Sequence, residues 1–206
     1  MKKIILFIIP LLFCISVMAQ SPKIIAEGAV TFTITVSGGG GNTLNNATKI
    51  FYIKGKQTRV DITSSAFKQS IIYDNNTGTA VILRELGQDK YISKLDAEKW
   101  KEHNKQYDSM AVTLTDETKI IAGYECKKAV AKQKNGTVFI MYYATAIIPS
   151  ASENPYQFKN IPGLVLEYES QSEGTAQKIT YTATKVNLNP VPLALFDVPV
   201  KGYRIL

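Results

Sequence analysis

The chain is poor in the residues that build metal centres and nucleophilic active sites. Its 206 residues include one His and two Cys. That supply cannot form a Cys₄, Cys₂His₂ or His₃ zinc site, each of which needs more Cys or more His than the chain carries. A single His also argues against a Ser-His-Asp triad. The Gly38–Gly41 run with Asn42 is not a phosphate-binding loop, because no Gly-Lys-Ser/Thr follows it and no helix begins there. The sequence therefore implies no catalytic group, no metal and no cofactor. A second long apolar run is missing as well, which leaves only the N-terminal one to explain.

That run has the form of an export signal. Met1, Lys2 and Lys3 make a positive start, Ile4 to Val17 form an apolar stretch of 14 residues, and Ala19 supplies a small residue before a cleavage point. Fourteen residues fall short of the about 20 needed to cross the hydrocarbon as a helix. Phe13 precedes Cys14 where a lipobox needs a small residue, so Cys14 is expected to leave with the leader. The expected division is a cleaved leader at 1–20 and a single β-rich domain at 21–206, periplasmic, outer-membrane-associated or secreted, and not integral to the membrane. Of 24 Lys and Arg, two lie in the leader, leaving 22 against 17 Asp and Glu, or +5 over 186 residues. Only Cys126 remains, so no intramolecular disulfide is possible. A modest, dispersed basic excess in the envelope does not point to nucleic acid.

The body reads as strands. Val30, Phe32, Ile34 and Val36 alternate with Thr31, Thr33 and Thr35, the pattern of a half-buried antiparallel strand. Residues 178–186 repeat it, and Leu164, Leu166 and Tyr168 alternate with Val165, Glu167 and Glu169. Residues 138–143 (VFIMYY) are apolar on both faces and predict a central strand covered on both sides. Asn75 to Gly78 and Asn135-Gly136 predict hairpin turns, the latter joining one strand near 119–133 to another at 137–145. One segment breaks the two-residue period. Asp96 is a fitting N-cap, Leu95 and Trp100 suit a hydrophobic staple, and Trp100, His103 and Tyr107 form one stripe of a helix from 97 to about 108. The fold expected is mainly β: a curved antiparallel sheet, an open half-barrel of roughly ten strands, around this one helix.

Few side chains invite a chemical reading. His103 is read as a packing residue of the helix stripe. Cys126 falls in phase with Ile120, Ala122 and Tyr124 and reads as a core residue, unlike a thiolate nucleophile, which wants a positive, partly exposed setting. Glu167 and Glu169 share a strand face, as a carboxylate pair would and as the solvent side of a strand would. Asn46-Ala47-Thr48, Asn75-Asn76-Thr77 and Asn135-Gly136-Thr137 match the N-glycosylation sequon, and Asp108-Ser109-Met110 matches a short O-glycosylation acceptor.

The most distinctive stretch carries no catalytic residue. Phe158-Lys159-Asn160-Ile161-Pro162-Gly163-Leu164 places Pro162-Gly163 directly before an alternating strand, which predicts a type II turn with Gly163 at positive φ. Ile161 and Leu164 flank it. Two readings remain open: a buried corner that closes the sheet, or the lip of an apolar pocket lined by Trp100, Phe158, Ile161 and Leu164.

Asn160-Ile161-Pro162-Gly163-Leu164-Val165 resembles the motif that names the GLPGLI family of small exported Bacteroidetes proteins. Gly123-Tyr124-Glu125-Cys126-Lys127-Lys128, Met141 to Thr145 leading to Ile148-Pro149, and Asn154 to Phe158 are similar to other parts of that family, in the same order. Asn160 and Ile161 stand where the family has Gly and Leu, and Asn154 where it often has Gly. The end of the chain, Leu195 to Tyr203, is similar to the ends of outer-membrane lipoprotein-sorting-like domains. The resemblances imply an envelope location and an open half-barrel around a helix, often with an apolar cavity, and they bring no established activity with them. The function expected is a non-enzymatic module binding a hydrophobic or lipid-like ligand in the concave face. The alternative is a structural or protein-interaction module of the envelope with a filled core.

Overall fold

The computed structural model describes residues 21–38, 44, 47–171, 177–199 and 201–206. The leader at 1–20, most of the glycine loop after Gly38, and Asn46 of the first sequon lie outside the described residues. From the start of the described chain the strands are β1 (Lys23–Ile25), β2 (Glu27–Ser37), β3 (Thr48–Lys54), β4 (Gln57–Thr63), β5 (Lys68–Asp74), β6 (Thr79–Leu86) and β7 (Asp89–Leu95). Helix α1 (Ala97–His103) follows. The chain then runs through β8 (Ala111–Ile121), β9 (Tyr124–Lys132), β10 (Val138–Ala144), β11 (Ile147–Pro149), β12 (Leu164–Gln171), β13 (Lys178–Asn187) and β14 (Arg204–Ile205). Among the described residues no helix is long and apolar enough to cross a membrane.

Twelve strands form one open, curved sheet in the order β14-β7-β6-β5-β4-β3-β2-β13-β12-β10-β9-β8, and β1 pairs with β11 in a separate ribbon. The large sheet is antiparallel except at its β14–β7 edge, and β1–β11 is also parallel. The mainly β, open half-barrel architecture is as expected, but the strands number fourteen among the described residues instead of roughly ten. Three of the extra strands hold only two or three residues, too few for a two-residue period to show. The fourth arises where one strand near 119–133 was expected. Ala122 (φ 49) and Gly123 (φ 84) make a two-residue hairpin there, both central residues at positive φ as a type I′ turn requires. The turn also breaks the phase expected for Cys126: Ile121 is buried while Ile120 is 67% exposed.

One face of the sheet is the core. Val30, Phe32 and Ile34 from β2, Phe51 and Ile53 from β3, Met141 and Tyr143 from β10, and Leu164, Leu166 and Tyr168 from β12 pack into a single cluster. Onto this inner face folds the irregular segment 150–163, which buries Ala151, Gln157 and Phe158. Helix α1 covers β6 and β7, seating Trp100 on Tyr73, Ala80 and Ile82. On the opposite face the C-terminal segment covers part of β2 to β5, where Val191 and Phe196 pack with Ile72, Ala29 and Tyr52. The expected double covering of β10 is therefore half right: Phe139, Met141 and Tyr143 are buried, whereas Val138 is 46% exposed.

Asp96 caps α1 as expected, its carboxylate accepting the Lys99 N–H at 2.9 Å. The helix stops at His103, short of the expected 108. Asn104 ends it by turning its side chain back, its Nδ2 donating to the Trp100 carbonyl at 2.9 Å in competition with the backbone. A 3-10 turn, Lys105–Tyr107, continues the path.

Candidate functional site

On the inner face β3 places a lysine where its alternation calls for an apolar residue. Lys49 lies in the alternation of β3 with Phe51 and Ile53, and it is 1% exposed. Its ammonium sits over the rings of Phe32 (4.4 Å), Tyr168 (4.5 Å) and Tyr181 (5.0 Å), a cage that returns part of the lost hydration as cation–π attraction. It donates to the Glu153 carboxylate and to the Tyr168 hydroxyl, and that hydroxyl in turn donates to Glu153 at 3.2 Å. Tyr168 stacks on Tyr181 at 4.6 Å and meets Phe158 edge-on at 5.0 Å. Burial lowers the Lys49 pKa from its ordinary value, and Glu153 opposes that shift by favouring the charged form.

Glu153 reaches Lys49 from the 150–163 segment, which is tied to the helix end. Asn154 donates to the Asn104 side chain at 2.9 Å and accepts the N–H groups of Tyr156 and Gln157 at 2.9 and 3.0 Å. An Asn at this position is thus a structural clamp, closing a local turn and locking it to α1. The two members of the ion pair differ in access to solvent: the Glu153 side chain is 11% exposed, the Lys49 side chain 1%.

Glu153 borders two small cavities. The first, about 170 Å³, is lined by Phe51, Ile148, Pro149, Phe158, Ile161 and Leu164 among others. The second, about 180 Å³, is lined by Lys49, Trp100, Tyr107, Gln157, Tyr168 and Tyr181 among others. Three of the four lining residues expected from sequence, Phe158, Ile161 and Leu164, thus meet at one cavity, and Trp100 stands at the other. The Trp100 indole N–H is buried without a hydrogen-bond partner.

The turn at the motif differs from the one expected. Ile161 N–H donates to the Phe158 carbonyl at 3.3 Å, and the residue at positive φ is Asn160 (φ 65), two places before Pro162-Gly163. Asn is the side chain that best tolerates this conformation after Gly. Gly163 is not at positive φ. It is there because a Cβ would lie 2.3 Å from the Ala144 carbonyl oxygen, where the chain presses onto β10.

Cys126 is fully buried and its thiol is pushed up to about 11, chiefly by burial. His103 is exposed and stacks on Trp100 at 5.2 Å. In the strand order seven strands separate β9, which carries Cys126, from β6, on which the helix packs. Glu167 is half-buried and holds Lys119 at 2.8 and 2.9 Å, while Glu169 accepts the Ile140 N–H at 3.0 Å and pairs with Lys178 at 3.2 Å. Each carboxylate thus has its own partners on the outer face, which is less exposed than a bare solvent side. Among the described residues no group of three His, Cys, Asp or Glu is arranged to hold a metal ion.

The buried phenols give the centre a measurable alkaline signature. Burial is the main cause that pushes Tyr107 and Tyr181 up to about 12, and it raises Tyr168 well above the usual range. In the unfolded chain these phenols titrate near 10. Between those values the folded protein keeps protons that the unfolded chain has lost, so the stabilisation is full below pH 10 and is lost as pH rises towards about 12. Lys49 acts in the opposite sense, its lowered pKa making stability rise with pH up to its unfolded value of 10.5. Three phenols outweigh one amine. Denaturant midpoints should fall steeply above pH 10, and phenolate absorbance of these three should appear only as the fold is lost. Ionisation near pH 10 of all eleven tyrosines in the intact fold would contradict this packing.

The sequence matches no protein-family model and no curated protein sequence. Among solved structures it is similar to PNGF-II in a P21 crystal form, at 15% identity over 88% of this chain with a TM-score of 0.51. The C2 form of PNGF-II aligns at 15% identity over 86% of this chain with a TM-score of 0.49. MucB aligns at 11% identity over 85% of this chain and 58% of its own length, with a TM-score of 0.47. This chain spans about a third of PNGF-II, 31% and 30% in the two forms. The likeness concerns the fold alone.

Proposed function

We propose that this is an exported, non-enzymatic envelope protein, of the kind the GLPGLI-like motif implies, that takes an apolar, lipid-like group into the inner face of its sheet. The observation that carries this reading is the convergence of Phe158, Ile161 and Leu164 on one cavity with an apolar rim. Ile148 on that cavity is 37% exposed, and Ile24, its register partner across β1–β11, is 70% exposed. An apolar side chain on the surface is ordinary, but two in register beside an apolar cavity form an entry. A volume of about 170 Å³ suits a ring or the end of an acyl chain, with the remainder of a longer chain lying along the rim.

A different observation favours the second reading, an interaction module of the envelope: segment 150–163 lies on the inner face and buries Ala151, Gln157 and Phe158 there. Native mass spectrometry of protein purified from its own host, with displacement of a fluorescent fatty acid, separates the two. The apolar-ligand reading expects a lipid-sized adduct and a displaceable probe, both lost in Ile148→Asp. A clean mass with no displacement, together with cross-linked protein partners lost on changing Lys128 and Lys134, would establish the interaction module instead.

A further inference from the structure

Glu153 stands in a place that a ligand's carboxylate would fit. It is the wall residue shared by the two cavities of about 170 and about 180 Å³, together about 350 Å³ and within the range of ligand sites once the wall is moved. It comes from an irregular segment, and its side chain is 11% exposed, so its carboxylate has a route to water. Lys49 has none. It is 1% exposed and held on three aromatic rings, so its charge stays where it is. A neutral group that displaced Glu153 would leave a buried, uncompensated ammonium, which is strongly unfavourable, whereas an anion restores the pair. The second cavity is also lined by Trp100 and Tyr107, so the space beside Lys49 has aromatic walls.

We propose that Glu153 is an internal stand-in for the ligand's head group: the protein binds a single-chain amphiphile ending in a carboxylate, which replaces Glu153 on Lys49 as that side chain swings to solvent and the two cavities join. The tail then lies against Phe158, Ile161 and Leu164 and leaves by the Ile24–Ile148 rim. This rests on the apolar-ligand reading above and adds to it the chemistry of the head group and the residue that recognises it.

Decanoate and decanol, equal in chain length and different in charge, are the probes. In Glu153→Gln, which no longer neutralises Lys49, decanoate should bind about 30-fold more tightly than in the unaltered protein and raise the unfolding temperature, and decanol should do neither. The double variant Lys49→Met/Glu153→Leu keeps the interior apolar and the fold testable even if Glu153→Gln folds poorly. There decanoate should lose its advantage over decanol. Equal binding of the two probes by the unaltered protein and by Glu153→Gln, or a decanoate preference that survives the double variant, overturns the head-group assignment and leaves the apolar cavity standing. Binding of neither probe by any variant overturns both.

Discussion

Replacing Glu153 with Gln should lower the unfolding free energy by about 3–5 kcal/mol, the cost of leaving a buried cation unmatched. The asymmetry of the pair makes the expectation specific. Lys49 is 1% exposed and cannot reach water, whereas Glu153 is 11% exposed and can. Lys49→Met should therefore cost less, about 1–3 kcal/mol, because the stranded carboxylate can turn outward or take up a proton. The double change to Met and Leu should cost least of the three, since an apolar pair of similar volume carries no desolvation cost. Urea denaturation with an unchanged dependence on denaturant is the appropriate measure. A loss below about 1 kcal/mol in Glu153→Gln would mean that the pair behaves like a surface ion pair and that Lys49 is hydrated.

The pair also marks where sequence reading stops. Lys49 left a usable trace: it falls on the apolar phase of Thr48-Lys49-Ile50-Phe51-Tyr52-Ile53, in step with Phe51 and Ile53, both 1% exposed. A lysine in that phase either snorkels out at a sheet edge or is paired inside, and β3 lies well within the sheet. Glu153 left no trace. It sits in a segment with no period, 104 residues from its partner, and only the fold of 150–163 across the inner face joins them. The strongly patterned elements were legible because one physical rule governs each. Alternation with threonine marked β2 and β13, Asn75–Gly78 marked the β5–β6 hairpin, and Asp96 marked the start of α1.

Where two rules compete, the sequence underdetermines the outcome. Residues 119–133 alternate well enough to read as one strand, yet the Ala122-Gly123 pair turns back on itself because the following residues can pair with β8. The bulge opposite Lys128 then sets Asp116 against Lys127 at 3.3 Å and Glu117 against Lys128 at 2.8 Å. Two of the dispersed lysines, Lys127 and Lys128, are thus matched by carboxylates of a neighbouring strand. Helix length departs from expectation for a similar reason, since Asn104 has ordinary helical neighbours and ends the helix through a side-chain bond that composition does not display.

The two motif positions that the family fills with glycine separate cleanly in their physics, and substitution should show it. Asn160 sits at φ 65, where Gly is at ease and Asn is the best of the rest. Asn160→Gly should leave stability within about 0.5 kcal/mol, as strain relief offsets the entropy gained by the unfolded chain. Asn160→Val should cost about 1–2 kcal/mol, because a β-branched residue is strained at positive φ. Gly163 is under a different constraint. Its backbone conformation is open to any residue, but an added Cβ would meet the Ala144 carbonyl oxygen at 2.3 Å and the Tyr143 ring at 3.0 Å. The first of these is backbone of a buried strand and cannot turn aside. Gly163→Ala should therefore cost about 3 kcal/mol or more, by forcing β10 and the 158–163 turn apart. Because Gly163 and Leu164 both line the apolar cavity, the same change should reshape it and weaken fatty-acid probe displacement. A Gly163→Ala protein as stable as the original would mean that the turn does not press on β10 at all. A loss of stability in Asn160→Gly equal to that in Gly163→Ala would mean that the motif acts through something other than these two local constraints.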